Sequence, residues 1–390
     1  MTDPRPKVVH LTTTDMSLDW LLAPQLLAFA DAGYDVVGMS AAGPHVAHLE
    51  QLGIRHVAVP SLTRSPGVLA DLRAMRELHR LLRRERPQVL HTHNPKPGVL
   101  GRIVGRLAGV PVVVNTQHGL YAQPTDRLRR RLPVYTAERV AAAFGHHELV
   151  QSPEDVTTLT QTLRVPTRKV TLLGNGIDLS RFDGDRAHRE RVRAEWGIGP
   201  EQVLVGVVGR LVREKGIDEI VAAADVLRRA DASVAIVVIG PAEPDKRDGL
   251  TADALARATK AGIHFVGRRD DMPACYAAID VFLTATHREG FPRAAMEAAA
   301  SGLPIVATDI RGCRQVVHHE HTGLLVPVRD AAALAAAVAR LVAQPAERAR
   351  FGAAAYEKAR KEFAQQRVID ITLATYGEQL TRRGLRAPRR

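Results

Sequence analysis

The 390-residue chain has little of what would make several functions easy to assign. It has two cysteines, Cys275 and Cys313, too few for a disulfide framework or a thiolate metal cluster. Small buried thiols in a reducing compartment are the expectation. Aromatic residues make up only 4% of the chain, so platforms for stacking nucleic-acid bases are not expected. No run of ~18 uninterrupted apolar residues offers a membrane span. The opening MTDPRPKVVH leads straight into a strand-like segment, without the apolar stretch of a secretory signal. The expectation is a cytoplasmic protein, with peripheral attachment to the inner face of the plasma membrane left open. The glycine-lysine spacing of a P-loop is absent, and Asp270 and Asp271 are adjacent rather than spaced as a metal-binding pair.

What remains is a globular composition, 45% apolar and 25% charged, with a net charge of +12. Basic runs stand at Arg83-Arg84-Glu85-Arg86, Arg129-Arg130-Arg131 and the tail from Arg382 to Arg390. They suit anionic partners such as phosphates or an anionic membrane face, or they form a solvated surface. No nucleic-acid-binding module accompanies the charge, so nucleic acid is not an expected partner.

Short Val-rich runs alternate with amphipathic stretches. Strands are predicted at 7–14, 34–40, 55–60, 87–93, 110–119 and 147–153, unalternating as strands buried on both faces are. A helix over 66–84 places Val68, Leu69, Leu72, Met75, Leu78 and Leu82 at helical spacing. Another over 97–108 opens near Pro97 and closes at Gly109. A second series follows, with strands at 203–211, 233–240, 263–267, 281–286, 303–309 and 322–328. Its helices are predicted near 216–230, 250–261, 271–279, 292–301 and 331–343. Two βα series imply two doubly wound α/β domains, with ligands beyond the carboxyl ends of the strands. The predicted division is 1–176, a polar linker over 177–202, a second domain over 203–364, and a C-terminal helix with a basic tail over 365–390. That helix is a candidate to pack back across the domain interface, and the cleft between the domains is the expected site.

Two stretches carry the chemistry. In GRLVREKG (209–216), Arg210 offers a planar fork of donors and Lys215 a mobile charge, both beside the start of a helix. In HREGFPRAAME (287–297), Glu289 lies in a loop ahead of Pro292, and Glu297 lies within an Ala-rich helix where a lone charge calls for a partner. Eight helical residues separate two groups by ~12 Å and turn them by about 80°. Such a spacing disfavours a carboxylate dyad acting on one bond and suits two acids at opposite ends of an elongated ligand. His91 and His93 alternate along a strand, and only one of them is expected to face the site.

VGRLVREKG, REGFPRAAMEAAASGLPIVATD and TGLLVPV, with GNGID at 174–178, resemble the retaining glycosyltransferases of family four, which have the GT-B fold. HTHNPKPG (91–98) and TQHG (116–119) resemble the bacterial members that build cell-surface polysaccharides and lipid-linked saccharides. The resemblance implies two Rossmann-like domains facing a central cleft and a nucleotide-diphosphate sugar, UDP first, as donor. The implied acceptor is a saccharide or a polyprenyl-linked saccharide, and no cofactor or metal is implied. Arg210 and Lys215 would hold the diphosphate, and Glu297 the ribose. Glu289 would lie near the reacting carbon. The backbone N–H groups of Gly290 and Phe291 would bind sugar and phosphate, and Arg268 would sit in the base-binding loop. His118 would bond the donor sugar, and the leaving phosphate would deprotonate the acceptor. His93 and Asn94 are further candidates near the N-terminal domain's strand ends. The sequence departs from the family in TTTDMSLDW (12–20), which lacks the usual glycine pair. There Met16 and Ser17 would present N–H groups, with Asp15 or Ser17 as cap. The loop GPAEPDKRDG (240–249) is longer than the family's usual form. A GT-B epimerase and a catalytically silent scaffold subunit are the alternatives. The Glu–seven residues–Glu spacing favours the transferase over the first, and the intact charged set favours it over the second.

Overall fold

The structure is a computed structural model that describes residues 5–388 apart from 64–66, 94, 125, 183–187, 231–232, 244–245 and 247. The chain forms two compact units. The first comprises Met1–Gly174 and Gln366–Arg390, the second Asn175–Gln365.

The first unit is built on seven strands: β1 (Lys7–Thr14), β2 (Asp35–Ala41), β3 (Arg55–Ala58), β4 (Val89–His93), β5 (Val112–Gln117), β6 (His147–Val150) and β7 (Val170–Leu172). Their order is β3-β2-β1-β4-β5-β6-β7, all parallel. Successive residues point to opposite faces, so the Val-rich strands bury both. Val8, Val36, Val89 and Val112 meet Val368, Ile369, Tyr376 and Leu380 on one face. On the other face Val9, Val37, Leu90 and Val113 meet Ala74, Leu78 and Leu82. The helix Gln365–Thr381 is thus part of the first unit's core.

The second unit has six parallel strands: β8 (Val203–Val208), β9 (Val234–Ile239), β10 (Ile263–Gly267), β11 (Val281–Thr284), β12 (Ile305–Thr308) and β13 (Gly323–Val326), in the order β10-β9-β8-β11-β12-β13. All twelve strands expected from the sequence form. β7, three residues at a sheet edge, is too short to announce itself.

Three differences have physical causes. The polar stretch 177–202 is not a free connection, because Ile177, Phe182, Val192, Trp196 and Ile198 are buried in the second unit's core. Val68, Leu69 and Leu72 are 78%, 74% and 45% exposed, since the helix Val68–Glu85 touches the sheet through Ala74, Leu78 and Leu82, repeating every fourth residue. The helices Leu128–Phe144 and Pro345–Glu362 were not expected; charge runs and the internal Pro133 obscure them.

Candidate active site

In the second unit the strand order reverses between β8 and β11, and the two motif loops leave the carboxyl ends of these neighbouring strands. Their backbones touch. The His287 N–H donates to the Glu214 carbonyl at 2.8 Å. Thr286 Oγ1 donates to the same oxygen at 3.3 Å. Gly216 has φ of +72°, and a Cβ there would lie 2.1 Å from the Ala285 carbonyl oxygen. Only glycine permits both the turn and this approach. Glu289 is carried on the second loop, and its backbone packs on the helix Arg311–Val316, where a Cβ on Gly312 would stand 2.5 Å from the Glu289 carbonyl oxygen. The result is a hydrogen-bonded ion pair between Lys215 Nζ and Glu289 Oε1.

Arg210 is engaged in the same manner. Its guanidinium donates to Glu243 Oε2 at 2.7 Å, and Lys246 Nζ lies 2.6 Å from the same oxygen. Burial acts to raise the Glu243 carboxyl, but the bonds from Lys246 and Arg210 outweigh it and hold its pKa below the ordinary value. Both sequence-predicted diphosphate cations therefore hold a carboxylate. The Glu243 partnership depends on a loop folding back, which spacing does not reveal.

Glu297 lies on the helix Arg293–Ala300 and has the partners its surroundings demand. The buried Tyr276 hydroxyl donates to Oε2 at 3.0 Å, and Arg293 Nε donates to Oε1 at 3.1 Å. Burial, then the Glu297 charge, pushes the Tyr276 phenol well up, so it remains a donor. Gly290 precedes Phe291, which packs edge-on against Phe363 at 5.9 Å and anchors the loop. Arg268 follows the edge strand β10, beyond β9 from the motif loops, and its head is paired with Asp270 at 3.3 Å. A hollow of about 400 Å³ lined by Phe182, Arg189, Tyr276 and Asp280 lies at the opposite ends of the strands and is not this site. Cys275 and Cys313 are both buried. Burial lifts the first thiol to about 11 and the second to about 12, leaving both unreactive.

In the first unit the strand order reverses between β1 and β4. Met16 lies in the short helix Asp15–Ser17 that follows β1, and its N–H is taken by Asp15 Oδ1 at 2.9 Å. Asp15 also accepts from the His45 N–H at 2.8 Å, so it ties two loops together. Ser17 Oγ lies 3.5 Å from Thr14 Oγ1. Asn94 lies outside the described residues. His118 follows β5, and its Nε2 is 3.1 Å from Nδ1 of His93. Burial lowers its pKa to about 4, a hydrogen bond to the Gln151 side chain opposing, so the ring is neutral at ordinary pH.

The premise that His91 and His93 point to opposite faces of the sheet, from which only one was expected to face the site, is wrong. Residues two apart on a strand share a face. Their rings stack at 4.2 Å. His10, the register partner of His91, joins them, with Nδ1 3.0 Å from His93 Nε2. The three rings bring nitrogens within 4.8 Å of one another, a grouping that strand register creates and sequence spacing does not show.

Residues 25–181 match the family model Glycosyltransferase Family 4, and residues 188–358 match Glycosyl transferases group 1. The Escherichia coli UDP-Gal:alpha-D-GlcNAc-diphosphoundecaprenol alpha-1,3-galactosyltransferase is 30% identical over 292 residues, covering 74% of each chain. The Staphylococcus aureus capsular polysaccharide biosynthesis glycosyltransferase CapM is 25% identical over 92% of this chain and 94% of its own. Among solved structures, Anabaena HepE in complex with UDP superposes with a TM-score of 0.80 at 18% identity, covering 96% of this chain and all of that one. WaaG, a glycosyltransferase involved in lipopolysaccharide biosynthesis, gives 0.69 at 16% identity, covering 94% and 99%.

Proposed function

The chain belongs to the group 1 and family 4 glycosyltransferases and has their GT-B fold, and from that premise we propose that it transfers a sugar from a nucleotide-diphosphate sugar with retention of configuration. One observation carries this reading. At the carboxyl ends of β8 and β11, two cations each hold a carboxylate, Lys215 with Glu289 and Arg210 with Glu243. A diphosphate satisfies both cations at once and releases both acids. Breaking the glycosidic bond places charge on the leaving phosphate, where Arg210 and Lys215 stabilise it. The freed Glu289 then lies near the developing oxocarbenium ion. Glu297, held by Tyr276 and Arg293, accepts from the ribose hydroxyls, and Arg268 serves the base. Neutral His118 bonds the donor sugar, and the departing phosphate takes the acceptor's proton. No step asks for a metal ion.

UDP is the proposed nucleotide, and a saccharide on a polyprenyl diphosphate carrier the proposed acceptor, in line with the E. coli relative's name. The test is a screen of UDP-, GDP- and ADP-sugars by thermal shift and by donor hydrolysis in EDTA, followed by NMR of the product's anomeric proton. Binding and turnover with a UDP-sugar and retained configuration are expected. An inverted product, or a strict need for a divalent cation, would refute the mechanism.

Glu297→Gln checks the ribose assignment. A hydrogen bond to a charged group is worth about 1.5–3 kcal/mol, so donor KM is expected to rise about ten- to a hundredfold with kcat changed little. Unaltered donor affinity would remove Glu297 from the ribose.

The acceptor proposed here implies a membrane surface. No described helix is long and apolar enough to cross one. Tyr121, Leu128 and Leu132 are 54%, 62% and 59% exposed and surround the run Arg129-Arg130-Arg131, with Arg130 over the Tyr121 ring at 5.6 Å. Apolar side chains among basic ones suit an anionic leaflet, each Lys or Arg adding ~1 kcal/mol. Changing the three arginines to Glu is expected to abolish co-sedimentation with phosphatidylglycerol vesicles. Retained binding would sink the membrane reading.

A further inference from the structure

The buried histidines of the first unit are joined in single file. His118 Nε2 meets His93 Nδ1 at 3.1 Å, and His93 Nε2 meets His10 Nδ1 at 3.0 Å. His10 Nε2 meets the Tyr376 hydroxyl at 3.4 Å. That hydroxyl also bonds His91 Nδ1, and His91 Nε2 meets Thr116 Oγ1 at 2.7 Å. Both ring nitrogens of His10, His91 and His93 are thereby used. Every member but His118 is at most 4% exposed. A neutral imidazole has one N–H donor and one acceptor nitrogen. Each ring must therefore pass the direction of donation to the next, and the tautomers of all four are locked together. Charging one of the three buried rings would set N–H against N–H in the core. Burial lowers His10 to about 3 and His91 and His93 well below the ordinary value, which keeps the file neutral.

We propose that this file fixes His118 in one tautomer and one ring orientation, making His93, His10 and Tyr376 positioning residues for glycosyl transfer. The inference rests, for its catalytic consequence, on the reading of His118 as the group that bonds the donor sugar. Tyr376 is the pivot. It has one hydrogen and two imidazole neighbours, so it donates to one and accepts from the other. It stands on the helix Gln365–Thr381, which gives that returning helix a task besides covering the sheet. Removing the hydroxyl leaves His10 Nε2 and His91 Nδ1 without a partner, and the His10–His93–His118 end is no longer tied to Thr116. A ring that presents the wrong nitrogen neither accepts nor donates where the sugar hydroxyl needs it.

The experiment is 15N NMR of the intact chain labelled at histidine, without donor, with His118→Gln used to assign the His118 signals. Wild type is expected to show one neutral tautomer of His118. Tyr376→Phe keeps the packing of the ring and is expected to show a tautomer mixture; His93→Gln breaks the file next to His118 and shows in kinetics. For both variants kcat is expected to fall about tenfold or more while donor KM moves less than about threefold, since orientation and not binding is lost. A mixture in wild type, or a His118 tautomer unchanged in Tyr376→Phe, would overturn the file. So would stoichiometric zinc held through His10, His91 and His93. A changed tautomer with kcat intact would overturn the positioning role. Because the NMR arm needs no substrate, its result is independent of the transferase reading. A His118→Gln enzyme with full kcat would instead refute the His118 assignment while leaving the file in place.

Discussion

Glu289→Gln is expected to lower kcat by about 10²–10³, the loss that follows removal of one preorganised charge-stabilising group. The carboxylate is the group proposed nearest to the reacting carbon, and the amide keeps its shape without its charge. The same change acts oppositely on the donor. Glu289 is paired with Lys215, and the side chains are 29% and 20% exposed. A neutral Gln releases Lys215 to the diphosphate, so donor KM is expected to stay level or to fall. A partly exposed ion pair is worth on the order of 1 kcal/mol, so the fold should be retained. The measurement is kcat and KM for the donor alongside thermal unfolding. A variant with near-normal kcat would remove Glu289 from the reaction centre. Glu243→Gln makes a useful companion, since it frees Arg210 while leaving the proposed reaction centre intact.

How far these sites were legible in the sequence follows from what is local and what is not. Glu289 in a loop, Pro292 at the helix start and Glu297 inside the helix are local features, and spacing located them. Gly216 and its turn were local as well. The pairing of Arg210 with Glu243 spans 33 residues and needs a loop to fold back. The histidine file needs β1, β4 and β5 to lie side by side in one register, with His10 opposite His91 and His93 opposite Thr116. It then needs Tyr376 to arrive from 285 residues beyond His91. Nothing in the spacing of His91 and His93 hints at it. Period-2 geometry does put both on one face, a rule that the sequence reading misapplied. The stretch 177–202 looked like a linker because charged residues outnumber its few buried ones. Five apolar side chains suffice to fasten it to the second core.

The other face of the first unit's sheet holds the second large effect. Arg102, fully buried, donates to Glu148 at 2.8 Å, to Glu138, and through Nε to the Gly98 carbonyl at 2.7 Å. Asn115 Nδ2 donates to Glu148 at 2.8 Å, and Gln117 Nε2 to Glu138 at 2.7 Å. One guanidinium facing two carboxylates leaves the group with a net negative charge. Burial accordingly raises the Glu148 carboxyl despite the arginine beside it. Arg102→Met strands both acids in the core and is expected to cost about 3–5 kcal/mol, the usual penalty for breaking a buried pair. In a unit of this size that is a fall of roughly 10 °C in Tm. The sign of its pH dependence follows. The Glu148 carboxyl, already raised by burial, loses the opposing arginine charge, so without Arg102 the folded state binds a proton there that the unfolded state has released. Stability then falls as pH rises from the ordinary carboxylate range through the raised value, and the deficit against wild type shrinks toward acid. Adding Glu138→Gln and Glu148→Gln removes the stranded charges and should recover most of the loss. Thermal unfolding near pH 5 and pH 8 measures all three effects, and a deficit independent of pH and unrelieved by the glutamines would show that Arg102 acts through packing alone.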